Sequence, residues 1–259
     1  MTQNGLVRLE DHGARVDVVL NRPDARNALN LPMCEDLIDA FAQIASMPDA
    51  GIVVLRAEGP VFCAGADLKE RKGRDEAWVK ARRRLAFQAY ETIGNCALPV
   101  IAQVQGALVG SGGEIAMSCD FIVASDAATF RFPEPQWGTV GATQRLQRVI
   151  GVPRAKELLY TGRVMGAQEA HRVGLVTTLT PADSLTATVD EMAERILHAP
   201  ALALWLTKHC IDQGARTDLN SGIRIELAAI DRLLSESDWK GSVDRFGQQI
   251  GSAVTEKKA

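Results

Sequence analysis

A chain of 259 residues, 46% hydrophobic and 24% charged, has the make-up of an ordinary globular protein with a sizeable core. It is long enough for one domain, or one domain with an appended subdomain. A net charge of −3 excludes any general pull toward nucleic acid or an anionic membrane.

The opening MTQNGLVRLEDHG is polar and lacks the apolar stretch of a signal peptide. Gln103 and Gln105 interrupt the best apolar run before it approaches the ~18 residues of a membrane span. Five scattered cysteines (34, 63, 96, 119, 210) include no CxxC, so a reducing compartment without a zinc framework is expected. These features predict a soluble, cytoplasmic protein.

Leu6–Glu10 and Arg15–Leu20 read as strands of a hairpin turning at Asp11-His12-Gly13. Asn30 is placed to cap a helix over Leu31–Met47, with Met33, Leu37, Ile38, Phe41 and Ile44 at helical spacing. Ile52–Leu55 is wholly apolar, as in a strand covered on both faces. Val61–Asp67 follows, with small residues around Gly65. Leu68–Asp75 reads as a mobile surface loop and is followed by a long helix to about Asn95. Pro99–Val104 is a second buried strand, Gly106–Gly113 a glycine-rich turn, Glu114–Ser118 the start of a helix and Phe121–Ala124 another strand. Strand, turn and helix alternate to about residue 180. Beyond it strand signals vanish, and helices are expected over about 182–198, 200–213 and 217–235, with a last amphipathic piece over 238–250. The expected organisation is a mixed core over 1–180 and a helical region over 181–259.

Two glutamates stand out. Glu114 ends the run Gly110-Ser111-Gly112-Gly113-Glu114, and Glu134 ends Phe132-Pro133-Glu134. A general acid and base require two such carboxylates around one cavity, and a helix start beside them offers N–H groups to a developing negative charge. Taken alone, Glu114 equally serves its helix dipole, at about 0.3–1 kcal/mol, and Glu134 equally marks a solvated strand end. The glycine turn is not a dinucleotide fingerprint, because Ile115 replaces the last glycine. Nor is it a nucleophile elbow, because Val109 holds the first glycine position around Ser111, and there is no phosphate-loop lysine. Close helix–strand packing explains it as well as function does. Cys63-Ala64-Gly65-Ala66-Asp67 is a second turn able to offer an N–H, and two donors converging on a carbonyl oxygen are each worth about 10²–10³ in rate. The basic stretch Arg71–Arg84 reads first as a solvated helix face, or else as a positive patch for ligand phosphates. Four histidines (12, 171, 198, 209) make no ligand spacing, so no metal is expected. Trp137 either walls a site or fills the core.

At this point the chain resembles the crotonase superfamily, the enoyl-CoA hydratase/isomerase family. Asn21-Arg22-Pro23 with Asn27-Ala28-Leu29-Asn30 is similar to the family's NRP…NAL signature, and Phe62–Lys69 to its FxAGxDLK turn. The stretch Gly106–Asp120, with Phe132-Pro133-Glu134, Thr143-Gln144-Arg145-Leu146 and Ala155-Lys156-Glu157-Leu158, continues the pattern. The resemblance implies an α/β crotonase (ClpP-like) spiral of ββα units with a helical C-terminal trimerisation region, assembling as a homotrimer or a dimer of trimers. It also implies an acyl-CoA ligand, with coenzyme A entering as the substrate thioester and no other cofactor. The thioester oxygen would accept from the N–H groups of Ala66 and Ser111. Arg26, Ala28, Leu29, Ala64, Asp67, Leu68 and Lys69 would line the adenine and pantetheine path. Gly110, Trp137 and Gly138 would complete the substrate contacts.

Both glutamates match the hydratases, so the implied reaction is syn addition of water to a 2-enoyl-CoA, giving the 3-hydroxyacyl-CoA. Glu134 would act as acid/base at the α-carbon, and Glu114 would activate the oxygen nucleophile. The stretch 138–145 is about three residues shorter than the usual GTIPGxGGTQRL, and Pro135-Gln136-Trp137 is unusual after the glutamate. The tail Gly247–Ala259 lacks the familiar KRxPxFxG ending. An isomerase or a specialised hydratase-lyase of the same family is the alternative, and a non-catalytic acyl-CoA-binding or assembly protein is a further one.

Overall fold

A computed structural model describes residues 2–241. Strand β1 (Val7–His12) pairs antiparallel with β2 (Arg15–Leu20), and the hairpin turns at Gly13-Ala14, where Gly13 has φ +78°. Helix α1 (Leu31–Ile44) begins where expected, with the Asn30 side chain accepting from the Met33 N–H. Then come β3 (Ile52–Ala57), β4 (Val61–Cys63) and the long α2 (Glu76–Gly94), capped by Asp75 on the Trp78 N–H. Next are β5 (Val100–Val104), β6 (Ala107–Val109), α3 (Ser111–Ala116), β7 (Phe121–Ser125) and β8 (Thr129–Arg131). The chain continues through α4 (Thr143–Ile150), α5 (Val152–Thr161), β9 (Val164–Gly166), α6 (Ala167–Arg172) and β10 (Thr178–Thr180). Helices α7 (Leu185–Leu197), α8 (Ala201–Gly214) and α9 (Leu219–Glu236) follow. Of the piece expected over 238–250 only residues 238–241 are described, and the tail Gly247–Ala259 lies outside the described residues.

The strands form two sheets, ordered β1-β2-β3-β5-β7-β10 and β4-β6-β8-β9. Successive pairs β3/β4, β5/β6 and β7/β8 each send their first strand to the larger sheet and their second to the smaller one. The chain therefore winds as a spiral of ββα turns, and β3-β5-β7 and β4-β6-β8 are parallel. Gly106–Gly113 is thus not one turn, as expected, but a short strand and the first residues of α3.

The larger sheet is covered on both faces, which is why Ile52–Leu55 is apolar throughout. Val53, Leu55, Val100 and Ala102 belong to the main core with Met33, Leu37 and Phe41 of α1 and Ala89 and Ile93 of α2. Ile52, Val54, Ile101 and Val123 pack instead with Leu185, Val189 and Ala193 of α7. Each fully buried Leu, Ile or Val side chain contributes roughly 1.5–3 kcal/mol. Sequence character changes at 180/181, whereas packing divides the chain into compact units Met1–His198 and Ala199–Ala259, because α7 covers the sheet of the first unit. Among the described residues, no helix is long and apolar enough to cross a membrane.

Candidate active site

The three parallel strands of the smaller sheet end side by side, and each passes at its carboxyl end into a turn carrying a predicted site residue. Ala66 follows β4, Ser111 and Glu114 follow β6, and Glu134 follows β8. Ligand crevices in parallel α/β sheets lie at these carboxyl ends. The first two turns are in contact: a Cβ added to Gly65 would lie 3.1 Å from the Val109 carbonyl oxygen. Gly112 packs against Cys63, where an added Cβ would come 2.7 Å from the carbonyl oxygen. The glycine turn therefore serves close packing as well as the site.

Ala66 makes a parallel bridge with Leu29 in which the Leu29 N–H donates to Gly65 O and the Asp67 N–H donates to Leu29 O. That register turns the N–H of Ala66 itself away from Leu29. Ser111 is the first residue of α3, so its N–H is one of the donors that a helix start leaves without an intrahelical acceptor. Gly110 before it has φ +48° and ψ −106°, a backbone that L side chains rarely adopt, and an added Cβ would sit 2.8 Å from Glu134 Oε1.

Ala66, Gly110, Ser111, Glu114, Glu134 and Trp137 all line one cavity of about 60 Å³, together with Leu68. Trp137 is half-exposed, so it walls the cavity rather than filling core. Arg26, Ala28, Leu29, Ala64, Asp67, Lys69 and Gly138 lie outside that lining. Leu29 is wholly buried, and the Asp67 carboxylate is already engaged by Arg22 Nη1 (2.7 Å) and by the Lys69 N–H (3.0 Å).

The two glutamates are both buried, which overturns the solvated strand end for Glu134, but their settings differ. Glu114 Oε1 accepts from the Ala142 N–H at 2.7 Å, and Oε2 pairs with Arg145 Nη1 at 2.9 Å. Ala142 has the left-handed φ of +54°, which aims its N–H at this carboxylate. Glu134 Oε2 is buried without a hydrogen-bond partner among the described residues. Burial pushes the Glu134 carboxyl above its ordinary range; its own backbone N–H opposes the rise, the charge of Glu114 adds to it, and Arg83 opposes it least. One carboxylate is thus held by a cation, while the other is buried with its carboxyl shifted upward. Tyr90 lines the same cavity; burial raises its phenol, and a hydrogen bond with the Ser111 side chain opposes that rise.

Sequence reasoning left Arg145 and Tyr90 without a site role and misread part of the basic segment. Arg82 is not on a solvated face. It is buried, with Nε on Glu70 Oε1 at 2.5 Å and Nη2 on the Leu29 carbonyl. The spacing Arg82, Ala86, Ala89, Tyr90, Ile93 is the buried stripe of α2, and that spacing was the available signal. Arg83 donates to Val140 O (2.6 Å) and Thr139 Oγ1, tying α2 to the segment after Trp137. Arg71, Arg82 and Arg83 all line the cavity. Elsewhere, Glu10, His12 and Asp17 come within 4.8 Å of one another, but Arg56 and Arg15 already occupy those carboxylates.

Comparison with known proteins shows the family and the fold. The family model for enoyl-CoA hydratase/isomerase matches residues 12–252. The chain belongs to the enoyl-CoA hydratase/isomerase family. It is 34% identical to an enoyl-CoA isomerase/hydratase of Mycosarcoma maydis, over 99% of this chain and 100% of that protein. It is also 34% identical to a short-chain-enoyl-CoA hydratase of Clostridium acetobutylicum, over 93% and 94% respectively. The crystal structure of an enoyl-CoA hydratase from Bacillus anthracis superposes with a TM-score of 0.91 at 34% identity, covering 94% of this chain and 96% of the other. The fold is therefore that of the crotonases. Within this member of the enoyl-CoA hydratase/isomerase family, the NRP…NAL residues act as a clamp. Asn27, wholly buried with φ +53°, accepts from the Arg22 N–H and donates to Glu58 O and Val61 O. Arg22 reaches the Ala28 carbonyl and Asp67, fixing the loop that presents Ala66.

Proposed function

We propose that this enzyme adds water across the double bond of a 2-enoyl-CoA thioester. The observation that carries the reading is the unequal setting of the two glutamates around one cavity. The thioester oxygen accepts from the Ala66 and Ser111 N–H groups, which stabilise the enolate-like negative charge. The Glu114 carboxylate, held by Arg145 and the Ala142 N–H, orients a water molecule and takes its proton. Glu134, whose carboxyl burial shifts upward, delivers a proton to the α-carbon. Both groups act from one side, which gives syn addition. Coenzyme A enters as part of the thioester. The exposed apolar side chains Leu219, Ile223, Leu227, Ile230 and Leu234 along α9 support assembly as a trimer or a dimer of trimers.

The test is hydration of crotonyl-CoA by the wild type, Glu114→Gln and Glu134→Gln. Undiminished turnover in both variants removes the mechanism. One observation favours a second reading: both Glu114 oxygens are already engaged, as suits a 3-enoyl to 2-enoyl isomerase in which Glu134 alone carries a proton between two carbons. Conversion of a 3-enoyl-CoA that survives Glu114→Gln would select the isomerase.

A further inference from the structure

The cavity holds more positive charge than an uncharged acyl chain calls for. Of its three arginines, Arg82 is matched by Glu70, but Arg83 reaches only neutral acceptors, Val140 O and Thr139. Arg71 Nε is buried and has no hydrogen-bond partner among the described residues. Glu114 is matched by Arg145, whereas Arg83 feels the charge of Glu134 only at longer range. Arg71 and Arg83 thus border the site with no carboxylate in ion-pair contact among the described residues. Both side chains are only partly exposed, and a guanidinium group partly removed from water gains from a counter-ion or a hydrogen-bonding partner. Consistent with that need, Arg71 lies below the ordinary guanidinium range, first through burial and then through repulsion from Arg82 and Arg83, with a smaller opposing pull from Glu70.

We propose that the acyl group taken by this enzyme ends in a carboxylate bound by Arg71 with Arg83 beside it, so that the substrate is a short, terminally carboxylated 2-enoyl-CoA. This rests on the acyl-CoA reading above and names its substrate class. The size of the cavity fits a short chain: about 60 Å³ is a handful of water positions at roughly 10–15 Å³ each. The other anion an acyl-CoA carries is its phosphates. They lie a whole pantetheine arm from the thioester and do not share so small a cavity with the two glutamates. A planar guanidinium also matches a carboxylate through paired N–H donors.

The experiment is calorimetric binding of two saturated, unreactive thioesters, glutaryl-CoA and its uncharged isostere 5-methylhexanoyl-CoA, with free coenzyme A as the third ligand. A charge-assisted contact predicts that the wild type prefers glutaryl-CoA roughly 10- to 100-fold. Arg71→Gln should abolish most of that preference and leave the affinity for free coenzyme A as it was. Arg71→Lys, which keeps the charge but not the planar fork, should retain part of it. Absence of a preference in the wild type overturns the proposal. So does equal weakening of all three ligands by Arg71→Gln, which would make Arg71 a phosphate contact. No turnover is needed. A preference without hydration therefore defeats only the proposed reaction, and hydration of crotonyl-CoA without a preference defeats only this assignment.

Discussion

Replacing Glu134 with glutamine separates the chemical task of this side chain from its cost to the fold. Glu134 is 8% exposed, and its Oε2 lacks a partner among the described residues. A buried unsatisfied group costs about 1–3 kcal/mol, and more when charged. The raised carboxyl means that ionisation is disfavoured in the folded chain. Stability is therefore full below the ordinary carboxylate range and declines as pH rises through the raised value. Glutamine is isosteric and cannot ionise. On the alkaline side Glu134→Gln should gain about 1 kcal/mol, or roughly 2–4 °C in Tm for a unit of this size. On the acid side, where the wild-type carboxyl is protonated, the gain should vanish. Turnover should fall by about 10²–10⁴ as the proton donor to the α-carbon is lost. Thermal unfolding followed by circular dichroism on both sides of the titration gives the first pair of results, and loss of enoyl-thioester absorbance gives the second. A variant that is no more stable at alkaline pH, or that still hydrates crotonyl-CoA at the wild-type rate, would refute the reasoning.

Ser111→Pro removes one backbone donor at a helix position that tolerates proline, so kcat on crotonyl-CoA should fall by about 10²–10³, whereas Ser111→Ala keeps the N–H and should cost far less. Gly110→Ala places a Cβ 2.8 Å from Glu134 Oε1 at a positive φ; about 1–3 kcal/mol of stability and most of the activity should go, as read by denaturant unfolding and steady-state assay. Arg145→Ala leaves the Glu114 carboxylate buried beside the Ala142 N–H alone, and urea unfolding should register a loss of about 2–3 kcal/mol. Asn27→Ala breaks three hydrogen bonds at a left-handed position and should cost about 3 kcal/mol in the same assay.

What could be read from sequence followed the length of the signal. Helices such as α1 and α2 carry several turns of apolar spacing, and β2, β3 and β5 are long enough to show as apolar runs. The smaller sheet is built from strands of three residues, which hold too few positions to show a period, so β6 was absorbed into the glycine turn. Glu114 and Glu134 stood out through the motifs around them. Arg145 lay in a segment that matches the family pattern, but its role stayed hidden because its pairing with Glu114 crosses 31 positions. Charge density made Arg71–Arg84 look solvated, although the position of Arg82 on the apolar stripe of α2 says otherwise. Arg71 and Arg83 could not be placed without knowing that the loop after Trp137 folds back toward α2.

The spiral assigns the parts of this site to different kinds of chemical group. In the reaction proposed above, the grip on the thioester comes from main-chain amides in the turns after β4 and β6, and most substitutions at Ala66 or Ser111 leave an amide in place. The proton traffic of that reaction comes from side chains in the turns after β6 and β8, and a single base change in either codon can delete one. Mutation therefore erodes the two halves unequally. A descendant of this chain can lose or exchange its reaction while still holding an activated acyl group, which leaves the scaffold open to new chemistry on the same handle.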